Sequence, residues 1–137
     1  MTPISKNFTL EEMISSATAM DNHIDNTPSA EALANLQLLV DKVLQPVRDL
    51  YGKPIHVNSG YRSVKLNKEV RGAVNSQHIQ GRAADISVGG RVANKALFDL
   101  IRGSGIAFDQ LIDEYDYRWV HVSYRESGNR GMVLHLK

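Results

Sequence analysis

The chain contains no cysteine, which excludes disulfide frameworks and thiolate metal sites outright. Any metal it holds must be bound through nitrogen and oxygen. No apolar stretch approaches the ~20 residues that a membrane-spanning helix needs, so no membrane span is expected. The N-terminus, Met1 to Phe8, lacks a basic segment followed by an apolar run, so no secretory signal is read there. The expected location is cytoplasmic as synthesised. Neither sign of charge dominates: 16 Lys and Arg against 15 Asp and Glu leave a formal net charge of +1. That balance lacks the electrostatic footprint of a nucleic-acid-binding protein, and no nucleic-acid partner is expected. Internal repeats and low-complexity linkers are also missing.

What remains is ordinary for a globular protein, 42% hydrophobic and 23% charged over 137 residues. Such a length favours one domain, spanning 1–137, that buries about two thirds of its unfolded surface. A monomer is expected. Thr9-Leu10-Glu11-Glu12 reads as a capping box opening a short helix over 9–16. Pro28-Ser29 opens a longer helix in which Leu33, Leu36, Val40, Val43, Leu44 and Val47 recur at helical steps. Pro46 should kink or divide that helix, and Gly52 is a plausible C-cap. Strands are read at 55–59, 84–88, 108–114, 119–124 and 132–136, with helices at 63–70 and 91–102. In the last of these Val92, Ala96, Leu97, Leu100 and Ile101 are expected to face inward. Helices first and a mostly antiparallel sheet afterwards make an α+β arrangement.

The segment Ser76-Gln77-His78-Ile79-Gln80-Gly81-Arg82-Ala83-Ala84-Asp85 carries the clearest chemistry. An imidazole and a carboxylate, both good zinc ligands, stand on a loop and on the strand that follows it. Small residues between them let the backbone turn closely. A catalytic zinc site usually has three protein ligands and one open position, so a third ligand must come from elsewhere. His121 is the best candidate. In Trp119-Val120-His121-Val122-Ser123, alternation turns the two valines toward a core and His121 toward a cleft or solvent. His56 and His135 read as structural or exposed, and His23 has no partner pattern.

Three blocks in order, Ser59-Gly60-Tyr61-Arg62-Ser63, then Ser76-x-His78-x-x-Gly81-x-Ala83-x-Asp85, then Trp119-Val120-His121, resemble the M15 family of zinc peptidases. That family includes D-alanyl-D-alanine carboxypeptidases, related dipeptidases and phage endolysins that cut between L-alanine and D-glutamate. The resemblance runs from about Ile55 to Tyr124. It implies a hedgehog/DD-peptidase-like fold, a Zn2+ cofactor held by His78, Asp85 and His121, and the peptidoglycan stem peptide as substrate. It also implies that Ser76 buttresses the site, with a loop-capping role as the equal alternative. Arg62 falls where family members place an arginine in the substrate cleft, and a guanidinium can steady developing negative charge.

Many family members place a general-base carboxylate three residues before the last histidine. Here Arg118 stands there and cannot serve. A turn near Asp116-Tyr117 would set Glu114 on the neighbouring strand at a depth similar to His121, which makes Glu114 the expected base and Asp116 the alternative. Arg118 is also the feature that favours a different class of function, a non-catalytic zinc-stabilised module that binds cell-wall peptide. The absence of a leader fits a phage or prophage enzyme that acts on the wall once released, and equally a module trimmed from a longer chain.

Overall fold

The computed structural model describes residues 2–137. Thr9 caps α1 (Leu10–Ile14) with the reciprocal bonds of a capping box: its hydroxyl accepts from Glu12 N and the Glu12 carboxylate accepts from Thr9 N. The helix read over 9–16 is present but shorter, and a second helix that was not read follows it. Ser15 is extended, and Ser16 caps a second short helix, α2 (Ala17–Asp21). Ser29 caps α3 (Ala30–Leu39).

Pro46 divides the long helix by an unusual route. A π-helical turn over Val40–Leu44 joins α3 to α4 (Gln45–Tyr51), and Gln45 N bonds back to Val40 O, five residues earlier. Proline has no N–H to donate, and its ring crowds the carbonyl four residues before it. The wider turn places that crowding where the helix already departs from α geometry. Leu36, Leu39, Val40, Val43, Leu44 and Val47 stay buried through the transition, whereas Leu33 is partly exposed. Gly52 closes α4 at φ 76°.

The sheet contains β1 (His56–Ser59), β2 (Ala83–Ser87), β3 (Gln110–Glu114), β4 (Trp119–Ser123) and β5 (Met132–Leu136) in the order β1-β2-β4-β3-β5. Only the β3–β5 pair is parallel, so the fold is α+β as expected. Between β1 and β2 lies α5 (Val64–Glu69), capped by Ser63, and α6 (Arg91–Gly103) follows β2. Period-two alternation gives the sheet two unlike faces. Ala84, Ile86, Leu111, Val120 and Val122 pack with the long helix and α6 in the core. Asp85, Ile112, Glu114, Trp119 and His121 line the cleft on the other side. Among the described residues no helix is long and apolar enough to cross a membrane.

The inward face of α6 differs from expectation. Val92 and Ala96 are exposed, and the buried positions are Asn94, Leu97, Phe98 and Ile101. Asn94 turns inward because its amide satisfies backbone that has no strand partner. It accepts from Val88 N at 2.8 Å and donates to the carbonyls of Tyr117 and Arg118 at 2.8 and 3.0 Å. Hydrogen-bond demand rotated the helix away from the face that hydropathy alone selects.

The loop before β2 closes on the helical layer through Gly81, which sits at φ +73° with room for no side chain. A Cβ there would stand 2.3 Å from the backbone oxygen of Ala32. Both the left-handed backbone and the contact with rigid backbone oppose substitution. Gly81→Ala should therefore lose at least ~2 kcal/mol of stability, read as a lowered denaturation midpoint in urea. A variant as stable as the parent would show that the loop does not pack this closely.

Candidate metal centre

Asp85 and His121 face each other across the sheet, paired in the β2–β4 register. His78 reaches them from the loop that precedes β2. Its backbone is fastened at both ends: His78 N donates to Ser76 Oγ at 3.1 Å, and His78 O accepts from Arg62 N and Gly81 N at 3.1 and 3.3 Å. Ser76 thus caps the turn that presents His78. The ring is oriented by Gly60, whose carbonyl lies 2.7 Å from His78 Nδ1. A carbonyl can only accept, so Nδ1 carries a proton, and Nε2 is the ring nitrogen left for a metal.

Nε2 points at Asp85. His78 Nε2 is 3.3 Å and His121 Nδ1 is 3.0 Å from the same carboxylate oxygen, Asp85 Oδ1. All three residues are buried, and one donor atom from each lies within 4.8 Å of the others. Tetrahedral ligands bound at ~2.1 Å stand ~3.4 Å apart, so the two measured separations suit a single ion. Two imidazole nitrogens and one carboxylate oxygen are a zinc donor set, and a ring N–H held by a backbone carbonyl is a usual support for a ligating histidine. The residues present fit a zinc ion.

The three groups sit in a cleft of about 830 Å³. Glu114 lines it, with Oε2 3.8 Å from His121 Nδ1 and accepting from the Trp119 indole N–H at 3.0 Å. Glu114 pairs with Trp119, while Ile112 pairs with His121. The glutamate is therefore the diagonal neighbour of His121 across the hairpin, one step further out than direct opposition. Asp116 is exposed in the turn at φ 57° and does not line the cleft. Asp113 occupies the opposite face, where it is paired with His135. Arg118 is exposed and also outside the cleft.

Arg62 lies beside the acidic ligand candidate, not only in the cleft wall. It donates Nε to Ser59 Oγ at 3.0 Å, Nη1 to Asn67 Oδ1 at 3.1 Å and Nη2 to Asp85 Oδ2 at 3.3 Å. Three of the five guanidinium N–H donors are thereby used, which leaves two. Gln110 lines the cleft, whereas Tyr61 packs against the core. Two groups escaped sequence reasoning. Alternation put Trp119 on the cleft face but carried no hint that its indole holds Glu114. Nothing periodic marked Asp109, a fully buried carboxylate that gathers Arg130 and Gln77.

The comparisons with known proteins agree with this geometry. The peptidase M15 family profile matches residues 6–123. A zinc D-Ala-D-Ala carboxypeptidase from Streptomyces albus G is 48% identical over 62 residues, which is 44% of this chain and 24% of that relative. The match thus spans about a quarter of the relative's length. With the family's profile covering most of its residues and a His-Asp-His zinc donor set at the floor of its cleft, the chain belongs to the peptidase M15 family.

Proposed function

We propose that this chain is a zinc-dependent peptidase domain that hydrolyses an amide bond flanked by a D-amino acid in the peptidoglycan stem peptide. The candidate bonds are D-Ala-D-Ala, cut as a carboxypeptidase, and L-Ala-D-Glu, cut as an endopeptidase. The observation that carries the reading is a carboxylate, Glu114, beside a buried His78, Asp85 and His121 donor set in one open cleft. His78, Asp85 and His121 would hold the ion. Bound zinc polarises a carbonyl oxygen and lowers the pKa of a water toward ~7.

Glu114 takes a proton from the attacking water and delivers it to the departing amine. The Trp119 indole fixes one carboxylate oxygen, which leaves the other to exchange the proton. Arg62 offers its two remaining donors, one on Nη1 and one on Nη2, to the oxygen that gains negative charge, while Nη2 also steadies Asp85. Arg118, the residue that favoured a non-catalytic module, stands outside the cleft, and Glu114 supplies the carboxylate such a module would lack.

Metal analysis of purified protein should give one zinc per chain, and His78→Ala or Asp85→Ala should lose both metal and activity. Full zinc occupancy in both variants would remove the ligand assignment. Glu114→Gln should keep fold and zinc yet lose about 10²–10⁴ in kcat, with Asp116→Asn nearly unaffected. The assay is mass analysis of fragments from purified peptidoglycan, which also identifies the bond cut; the reverse order of the two variants would make the turn aspartate the base. Arg62→Lys keeps the charge but not the planar fork, so at least a ~10-fold fall in kcat/KM is expected. Parental kinetics in Arg62→Ala would assign Arg62 to the surface.

A further inference from the structure

The segment after β4 has no regular structure, yet it is tied down at both of its ends. The Asn129 side chain bridges Arg125, accepting from its N at 2.7 Å and donating to its carbonyl at 2.9 Å. Gly131 N bonds to Phe108 O and Met132 N to Asp109 O, both at 2.9 Å. The central tie is the Asp109 carboxylate, which is 0% exposed. It accepts from Arg130 N at 3.1 Å, from Arg130 Nε at 2.9 Å, from Arg130 Nη2 at 2.8 Å and from Gln77 Nε2 at 2.9 Å. The Arg130 fork, against burial and with help from Gln77, holds Asp109 down to about 2. Gln77 directly precedes His78, so one buried carboxylate joins the metal loop to this arginine loop.

What the ties present is positive charge. Arg125 and Arg130 both line the cleft, with side chains 41% and 46% exposed. Bonding to Asp109 uses two of Arg130's five guanidinium N–H donors, and the other three are fixed in direction by the same fork. Arg125 Nη1 is 4.0 Å from Asp109 Oδ1, close enough to be steered but too far to be spent. Arg62, Arg71 and Arg82 also line the cleft, against only Asp85 and Glu114. A chain with net charge +1 has therefore concentrated cations in this cleft, and such a wall attracts anions.

We propose that Arg125 and Arg130, carried on the Asp109 post, form an anion subsite that grips a free carboxylate of the substrate peptide, distinct from the carbonyl being cut. The subsite rests on the reading of this cleft as the place where stem peptide binds, and it makes the two arginines specificity determinants: the acidic form of the peptide is bound and the amidated form is refused. Guanidinium forks suit a carboxylate and have no comparable partner in a carboxamide.

The test uses N-acetyl-L-alanyl-γ-D-glutamyl-L-lysyl-D-alanyl-D-alanine, which contains both candidate bonds, with the glutamyl α-carboxyl free, and the same peptide with that group as a carboxamide. Binding is read by calorimetry on the zinc-loaded Glu114→Gln chain, and cleavage of both peptides is followed on the parent chain. The acid should bind about 10-fold or more tighter than the amide, the scale of a charge-assisted hydrogen bond. Arg125→Gln, which leaves the Asp109 fork intact, should cut that ratio at least 3-fold, and so should Arg130→Lys. Loss of the ratio with little change in binding of the amide marks a substrate contact, which a purely structural tie would not give. Equal affinity for the two peptides, no binding of either at millimolar concentration, or a ratio unmoved in both variants overturns the subsite. A chain that prefers the acid and cuts neither peptide keeps the subsite and loses the peptidase reading; one that cuts and binds both alike does the reverse.

Discussion

A carboxylate buried in the middle of a sheet is the constraint on which the site depends. Asp85 is 5% exposed, and an unpaired charge at such a position costs several kcal/mol. Burial pushes its pKa up, and His78 and His121 outweigh that and hold it well below the usual carboxylate range. Its partners come from three separate pieces of chain: the loop of His78, strand β4 and the turn after β1 that bears Arg62. Each piece must then be anchored by itself. Gly60 gives its carbonyl to the His78 ring, and Tyr61 N bonds to Met13 O in the helical layer. Gly81 lets the loop lie against Ala32. Small residues around the site are thus a consequence of gathering three segments about one carboxylate.

A second constraint sets the position of Glu114. Tyr115, Asp116 and Tyr117 follow one another at φ 52°, 57° and 62°, a run of left-handed residues that costs of order 1–3 kcal/mol apiece. The surrounding structure holds them there. Asn94 binds the carbonyls of Tyr117 and Arg118, and the Tyr117 ring meets Phe98 edge-on at 5.5 Å. A slip of one residue in this hairpin would exchange the faces of Glu114 and Asp113. The buried amide of α6 therefore bears on where Glu114 stands in the cleft, through a turn it touches only by backbone.

Much of this was legible because period and punctuation are local. Thr9, Ser29 and Ser63 announce helix starts, and each caps one. The valines of β4 announce a core face, and the alternation that buries them turns His121 to the cleft. Asp85 and His121 converge through strand pairing and His78 joins them from a loop, which a spacing argument can anticipate only with the family pattern beside it. Other features depended on groups distant in the chain. Asn94 is polar at a position hydropathy leaves outside, and the carbonyls that draw it inward lie 23 and 24 residues away. Asp109 and Arg130 are 21 residues apart in segments without period. The π turn before Pro46 is a choice among ways to absorb a proline, and the sequence states the problem without the solution.

Odd and even spacing along a strand explains why the carboxylate comes from across the hairpin. A residue three places before His121 alternates to the other face of an extended strand, and reaches the cleft only if the chain curls just before it. In this chain the left-handed turn occupies that point, and Arg118 is directed to solvent. Glu114 shares the cleft face with Ile112, whose register partner is His121. Diagonal neighbours on one face stand ~7–8 Å apart at the backbone, a gap that a glutamate spans and an aspartate does not. The Trp119 indole bonds to the carboxylate of its own cross-strand partner, so the long side chain is fixed at the reach the diagonal demands. The place of Glu114 on the opposing strand, the length of its side chain and the tryptophan beside it form one geometric solution rather than three separate features.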